Sequence, residues 1–140
     1  MSYAAPVPAS SPGDSERVSA CNAAFYDAFE TGDMRAMASA WEHSDRVSCT
    51  HPGTPILRGW PAVEQSWRLL LGSPSGRPQF ILTEEAVEVV GDVAWVTLVE
   101  NMIIGDRSAA TTAVNWFVRN DDDWQLVGHH GAPIERPPIG

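Results

Sequence analysis

The stretch QFILTEEAVEVVGDVAWVTLVENMIIGDRSAATTAVNWFVRNDDDWQLVGHHGA, residues 79–132, reads as four consecutive antiparallel strands that curl over a helical layer. Gly91-Asp92 and Gly105-Asp106 are hairpin signals, and Asn120-Asp121-Asp122-Asp123 is a polar turn. They divide the stretch into strands over 79–90, 93–104, 109–119 and 124–132. Pro133 and the Pro137-Pro138 pair cannot donate to a ladder, so the sheet is expected to stop there.

Successive side chains of a strand point to opposite faces. Along 93–104 one face carries Val93, Trp95, Thr97, Val99 and Asn101, the other Ala94, Val96, Leu98, Glu100 and Met102. Both are largely apolar, so both need cover. Helices supply one cover. A second copy of the chain supplies the other, which predicts a homodimer packed through the outer sheet face with Trp95 and Trp116 as anchors. With even-length hairpin loops, Glu100 shares its face with Thr111, Ala113, Asn115 and Phe117. Pairing Arg119 with Trp124 adds Trp124, Leu126, Gly128 and His130. Ile104 then opposes residue 107 or residue 109. The second choice sets Glu100, Ala113 and His130 in one row, with about 10 Å between the outer backbones. This set matches the apolar stripes of the helices and reads as the inner face of a polar-floored cavity. A β-bulge or an odd loop would exchange the faces.

Residues 1–13, rich in Ala, Pro and Ser, read as a flexible arm and 134–140 as a tail, leaving 14–133 as one domain. Asp14 or Ser15 is expected to cap a helix with Val18, Cys21, Phe25 and Phe29 at helical spacing, ended by Gly32. Asp33 caps a short second helix carrying Met34, Met37 and Trp41. A short strand over 46–51 precedes a turn at 51–55. Pro61 marks the first turn of a third helix with a stripe of Val63, Trp67, Leu70 and Leu71, stopped by Gly72.

At 140 residues the chain is long enough for one domain with its own core. Net charge is −9 and the nine basic residues are scattered, so nothing favours nucleic acid or an anionic membrane surface. No window approaches the roughly 20 apolar residues of a membrane span. With no signal-peptide pattern at the N-terminus, a cytoplasmic protein is expected. Cys21 and Cys49 have no metal-type spacing and read as reduced thiols. The Asp run at 121–123 is either a solvated turn tip or a calcium site. There is no glycine-rich phosphate loop and no serine-nucleophile motif, so no cofactor is expected.

Several motifs together resemble the NTF2-like α+β cone fold, and within it the SnoaL-like group. They are Phe25-Tyr26-Asp27-Ala28-Phe29-x-x-Gly32-Asp33 with Trp41, His51-Pro52-Gly53, and Gly59-Trp60-x-Ala62-Val63. Gly91-Asp92-x-Ala94-Trp95-Val96-Thr97, Asn115-x-Phe117-Val118-Arg119 and Trp124-Gln125-Leu126-Val127-x-x-His130 complete the set. The resemblance spans about residues 15–133 and implies three helices packed on a curved, mostly antiparallel sheet. It also implies a choice of activities, since the family holds isomerases, cyclases, dehydratases, hydrolases and non-catalytic binding and assembly domains. Gly128 and Ala132 stand where many relatives carry His and Ser, and no inner-wall aspartate base is evident; Asp45 precedes the first strand.

Glu100 is either paired with an arginine such as Arg58 or a general acid or base with a raised pKa. His130 is either a structural imidazole or its partner in proton transfer, and His51 either caps its turn or faces the mouth of the cone. Asn115 is expected to line a pocket with Trp67, Phe117, Trp124, Val96 and Leu98, donating to an oxyanion or to a neighbour's backbone. His51, His130 and Glu100 form a two-His, one-carboxylate set on paper, but lack local ligand spacing, so no metal is expected. The expected function is binding of a small apolar molecule in an enclosed pocket, with cofactor-free isomerisation, cyclisation or dehydration as its enzymatic form. The alternative is a non-catalytic ligand-binding or dimerisation module, with a cone filled by Met34, Met37, Trp67 and Phe80.

Overall fold

A computed structural model describes residues 13–135 apart from residue 75. The arm and tail expected at the termini fall outside that range except for residues 13, 134 and 135. In chain order the elements are α1 (Asp14–Thr31), α2 (Met34–Ala40), β1 (Ser48–Thr50), β2 (Leu57–Arg58) and α3 (Trp60–Leu71). Then come β3 (Gln79–Val90), β4 (Val93–Ile104), β5 (Arg107–Asn120) and β6 (Asp123–Pro133). The strands form one six-stranded sheet in the order β2-β1-β6-β5-β4-β3, antiparallel except where β1 runs parallel to β6. The helices pack on one face of it, which makes the fold α+β as the sequence predicts.

Local chemistry explains the helix boundaries. Gly13 opens α1 in the left-handed region at φ 100°, and no side chain caps the helix. Asp14, expected as a cap, is instead buried, with Oδ2 accepting from the Arg119 guanidinium at 2.8 Å. Gly32, at φ 68°, closes α1, because a residue with a Cβ rarely adopts that conformation. Asp33 caps α2 as expected, its Oδ1 accepting from the Ala36 amide at 3.0 Å. Val18, Phe25, Met37, Trp41, Val63 and Trp67 are all fully buried against Val96, Phe117 and Leu126 of the sheet. Leu70, expected in the buried stripe of α3, is 41% exposed.

All three long hairpins close with two-residue turns, with Val90 opposite Val93, Ile104 opposite Arg107 and Asn120 opposite Asp123. Glu100 therefore opposes Thr111, while Leu98, Ala113 and Gly131 share a row, so the expected row of Glu100, Ala113 and His130 does not form. The larger departure is a bulge in β6. Trp116 pairs with Gly128 and Phe117 with Leu126, which leaves Val127 unmatched. Trp124 and Leu126 remain inside, as expected. Beyond Val127 the alternation is displaced by one residue, so His129 turns inward opposite Asn115 and His130 turns outward opposite Val114. A second irregularity lies between Thr83 and Ala86, where Glu84 has φ 56°. Bulges bend and twist the strands that carry them, which curls the sheet around the helices.

Candidate functional site

The inner face carries a buried polar cluster fed by four elements, α1, β4, β5 and β6. Tyr26 of α1 donates its hydroxyl hydrogen to Glu100 Oε2 of β4 at 2.5 Å. Asn115 Nδ2 of β5 donates to Asn22 Oδ1 at 2.8 Å and to Tyr26 Oη at 3.2 Å. Asn115 Oδ1 can only accept, and His129 Nδ1 lies 2.5 Å from it, so neutral His129 carries its hydrogen on Nδ1. That leaves the bare Nε2 facing Glu100 Oε2 at 3.9 Å. Asn22 and Asn115 are fully buried, His129 is 2% exposed and Glu100 5%.

Burial dominates the electrostatics. It raises the Glu100 carboxyl above its ordinary range, although the Tyr26 hydrogen bond pulls the other way. Burial, then the nearby Glu100 charge, raises the Tyr26 phenol. Burial, then the neighbouring His51 and His130, lowers His129 to about 3, so it is neutral at physiological pH. Cys49, beside His129 on β1, is pushed up to about 12 by burial and then by Glu100, so it is a protonated thiol. Arg58, the partner considered for Glu100, is exposed on β2, and the carboxyl is held by Tyr26 instead.

His51 reaches the same interior from the turn after β1. Ser66 donates its hydroxyl to the Val63 carbonyl at 2.8 Å, so His51 Nε2, 3.1 Å away, is the donor to Ser66 Oγ. Its ring packs edge-on against Trp67, and burial lowers its pKa. His130 sits on the other side of the sheet, with Nδ1 2.8 Å from Thr50 Oγ1 and Nε2 3.1 Å from Ser48 Oγ. The set of His51, His130 and Glu100 is thus split between two faces. Among the described residues no group of three or more His, Cys, Asp or Glu is placed to hold a metal ion.

The space expected around these groups is filled. Val96, Phe117 and Trp67 are fully buried, Leu98 is 2% exposed and Trp124 4%, all within the continuous apolar core. Met37 and Trp67 are fully buried, with Met34 and Phe80 packed on the same core. A cleft of about 680 Å³ opens instead at the end of the cone, between the C-terminal ends of α1 and α3 and the β4–β5 hairpin. Phe29, Leu70, Leu71, Met102 and Ile104 give it an apolar floor, and Arg77, Asp106 and Arg107 stand at its rim. None of the nine residues singled out from the sequence lines it. Glu100 lies one inward-facing position below Met102, about 6.7 Å along the strand.

The structure thus brings Glu100, Asn115 and His51 into the interior and excludes His130. Sequence reasoning missed Tyr26, Asn22 and His129. Tyr26 and Asn22 follow Val18 at positions i+8 and i+4, the inner stripe of α1, and that spacing was the available signal.

A curled sheet wrapped on three helices, with a polar cluster inside and a cleft at one end, defines an NTF2-like protein. The chain belongs to the SnoaL-like domain family, whose pattern matches residues 18–134. A solved structure described as a proposed dehydratase of the NTF2-like family from Streptomyces avermitilis is 37% identical, with a TM-score of 0.81 over 88% of this chain and 97% of that one. A proposed calcium/calmodulin-dependent protein kinase type II association domain from Thiobacillus denitrificans is 32% identical, with a TM-score of 0.73 over 84% and 94%. The F-box protein SKIP8 of Arabidopsis thaliana is 28% identical over 79% of this chain, which spans 47% of that protein. Among the described residues no helix is long and apolar enough to cross a membrane.

Proposed function

We propose that the protein binds a small, largely apolar molecule in the cleft at the open end of its cone. One observation carries this reading: the cleft of about 680 Å³ has an apolar floor of Phe29, Leu70, Leu71, Met102 and Ile104, a size and lining suited to small ligands. Nile red, a neutral apolar dye, is the probe. It should fluoresce with the wild-type protein and lose that signal in Leu70→Trp, which fills the cleft from a half-exposed position. Absence of binding, or a dye signal indifferent to Leu70→Trp, would overturn the reading.

A second reading, cofactor-free acid–base chemistry, is favoured by the Tyr26–Glu100 pair beneath the floor of the cleft. A carboxyl whose pKa is raised by burial can donate to a developing oxyanion in its protonated form or take up a proton in its ionised form, and the phenol beside it can donate as well. The likeness to a proposed dehydratase is in keeping with this. On that reading Glu100→Gln and Tyr26→Phe abolish turnover of an identified substrate while His130→Ala, on the far face, leaves it intact.

The partner we propose is a second copy of the chain, packed on the outer face through Trp95 and Trp116, whose rings lie 5.1 Å apart. Both cysteines are free, in keeping with a cytoplasmic setting.

A further inference from the structure

We infer that the ligand of the cleft is an amphipathic acid, an apolar body ending in a carboxylate that Arg107 holds. This rests on the cleft being the binding site proposed above. The register places Arg107 opposite Ile104 and Ala109 opposite Met102, so Arg107, Ala109 and Thr111 follow one another on the same concave face as Asn115. Arg107 is exposed and hydrated in the free protein, and it lines the cleft beside the apolar floor, where it offers a guanidinium to an incoming anion.

Among the described residues neither Arg107 nor Arg77, the other arginine at the rim, forms an ion pair. Arg77 is committed elsewhere, donating to the carbonyl oxygen of Thr31 at the end of α1. Asp106 stands at the same rim without pairing to Arg107. The chain as a whole carries a net charge of −9, so two arginines at one opening run against its general character. A guanidinium presents two parallel N–H groups to a carboxylate, a match that an alcohol or amine head cannot make. Ala109, the next residue on that face, has a small side chain that leaves the path from Arg107 to the floor at Met102 open.

The test is competition with bound Nile red by octanoate, 1-octanol and octylamine, which share a tail and differ in the head. Octanoate should displace the dye at a concentration at least about ten-fold lower than 1-octanol, the advantage of a charge-assisted contact. Arg107→Gln should collapse that ratio toward one, and Arg107→Glu should shift the preference to octylamine. Equal displacement by octanoate and 1-octanol, or a ratio untouched by Arg107→Gln, overturns the inference and leaves the cleft standing as an apolar site. Failure of Nile red to bind removes the cleft itself.

Discussion

Asn115 Oδ1 and His129 Nδ1 lie 2.5 Å apart on adjacent strands, and this contact sets the hydrogen-bond directions of the buried cluster. Because the amide oxygen can only accept, its NH₂ group is free to donate to Asn22 and Tyr26, which orients the Tyr26 hydroxyl toward Glu100. The cluster is therefore polarised from the imidazole to the carboxyl group, while the buried Nδ2 of Asn22 finds no hydrogen-bond acceptor among the described residues.

Its titration makes acid destabilising. His129 is held at about 3 in the fold and is expected near its ordinary 6.5 when unfolded. Between those values the unfolded chain binds the extra proton, so stability falls as pH drops from 6.5 toward 3, by up to about 1.4 kcal/mol per pH unit for this group. His51 and His130 are also lowered and act with the same sign. Glu100 is raised and acts oppositely: its contribution is full below 4.5 and is lost as pH rises through its folded value. Urea unfolding of wild type and His129→Gln between pH 7.5 and 5 should show a shallower slope in the variant. NMR of the wild type provides a second readout, in which the His129 ring signals should not move across that range.

Tyr26 and Glu100 are coupled. Tyr26→Phe removes the donor from a nearly buried carboxyl and should cost about 1–3 kcal/mol. Glu100→Gln keeps an acceptor for the hydroxyl and should cost less. In the double variant the losses should fall short of their sum by about 0.5 kcal/mol or more, and strict additivity in denaturant melts would mean that the hydrogen bond contributes little.

The strands of β3 to β6 are legible because Gly91-Asp92, Gly105-Asp106 and the Asn120 turn are local signals that act within a few residues. The face of His129 is not. Val127 sits between Leu126 and Gly128 in an apolar alternation with nothing to mark it as the unmatched residue, and only its pairing partners on β5 reveal the displacement. Asn22 and Tyr26 escape for a different reason: polar side chains on an amphipathic helix look like its wet flank unless the sheet opposite is known to present Glu100 and Asn115. The cleft joins Phe29, Leu70 and Arg107, residues brought together only by the folded chain, so no short window contains it.

Gly131 marks a close approach between β6 and the turn after β1. A Cβ there would lie 2.9 Å from Thr111 Cγ2 and 3.4 Å from Pro52 Cγ. Gly131→Ala should therefore destabilise by about 1–3 kcal/mol through overpacking. Thr111→Ser, which deletes the offending methyl, should recover part of that loss when the two are combined. A Gly131→Ala protein as stable as wild type in urea would show that the strand yields freely at this point.

The outer face makes the most direct prediction about assembly. By register Ile81, Val90, Val93 and Trp116 share this face, and they are 57%, 50%, 40% and 37% exposed. Trp95 lies beside Trp116 with the ring planes tilted by 38°, so the two indoles add to the apolar surface of this face. Large exposed apolar patches of this kind bind partners, and a patch that is its own complement across a two-fold axis closes as a dimer. Sedimentation equilibrium of the wild type should give twice the chain mass of 15.2 kDa. Trp116→Glu should give the monomer mass, because a carboxylate buried without a partner in an apolar interface costs several kcal/mol. The variant should keep its fold, since residue 116 lies outside the core, and circular dichroism would check that. A wild-type mass of 15.2 kDa, or an undisturbed dimer in the variant, would move the partner of this chain to another surface.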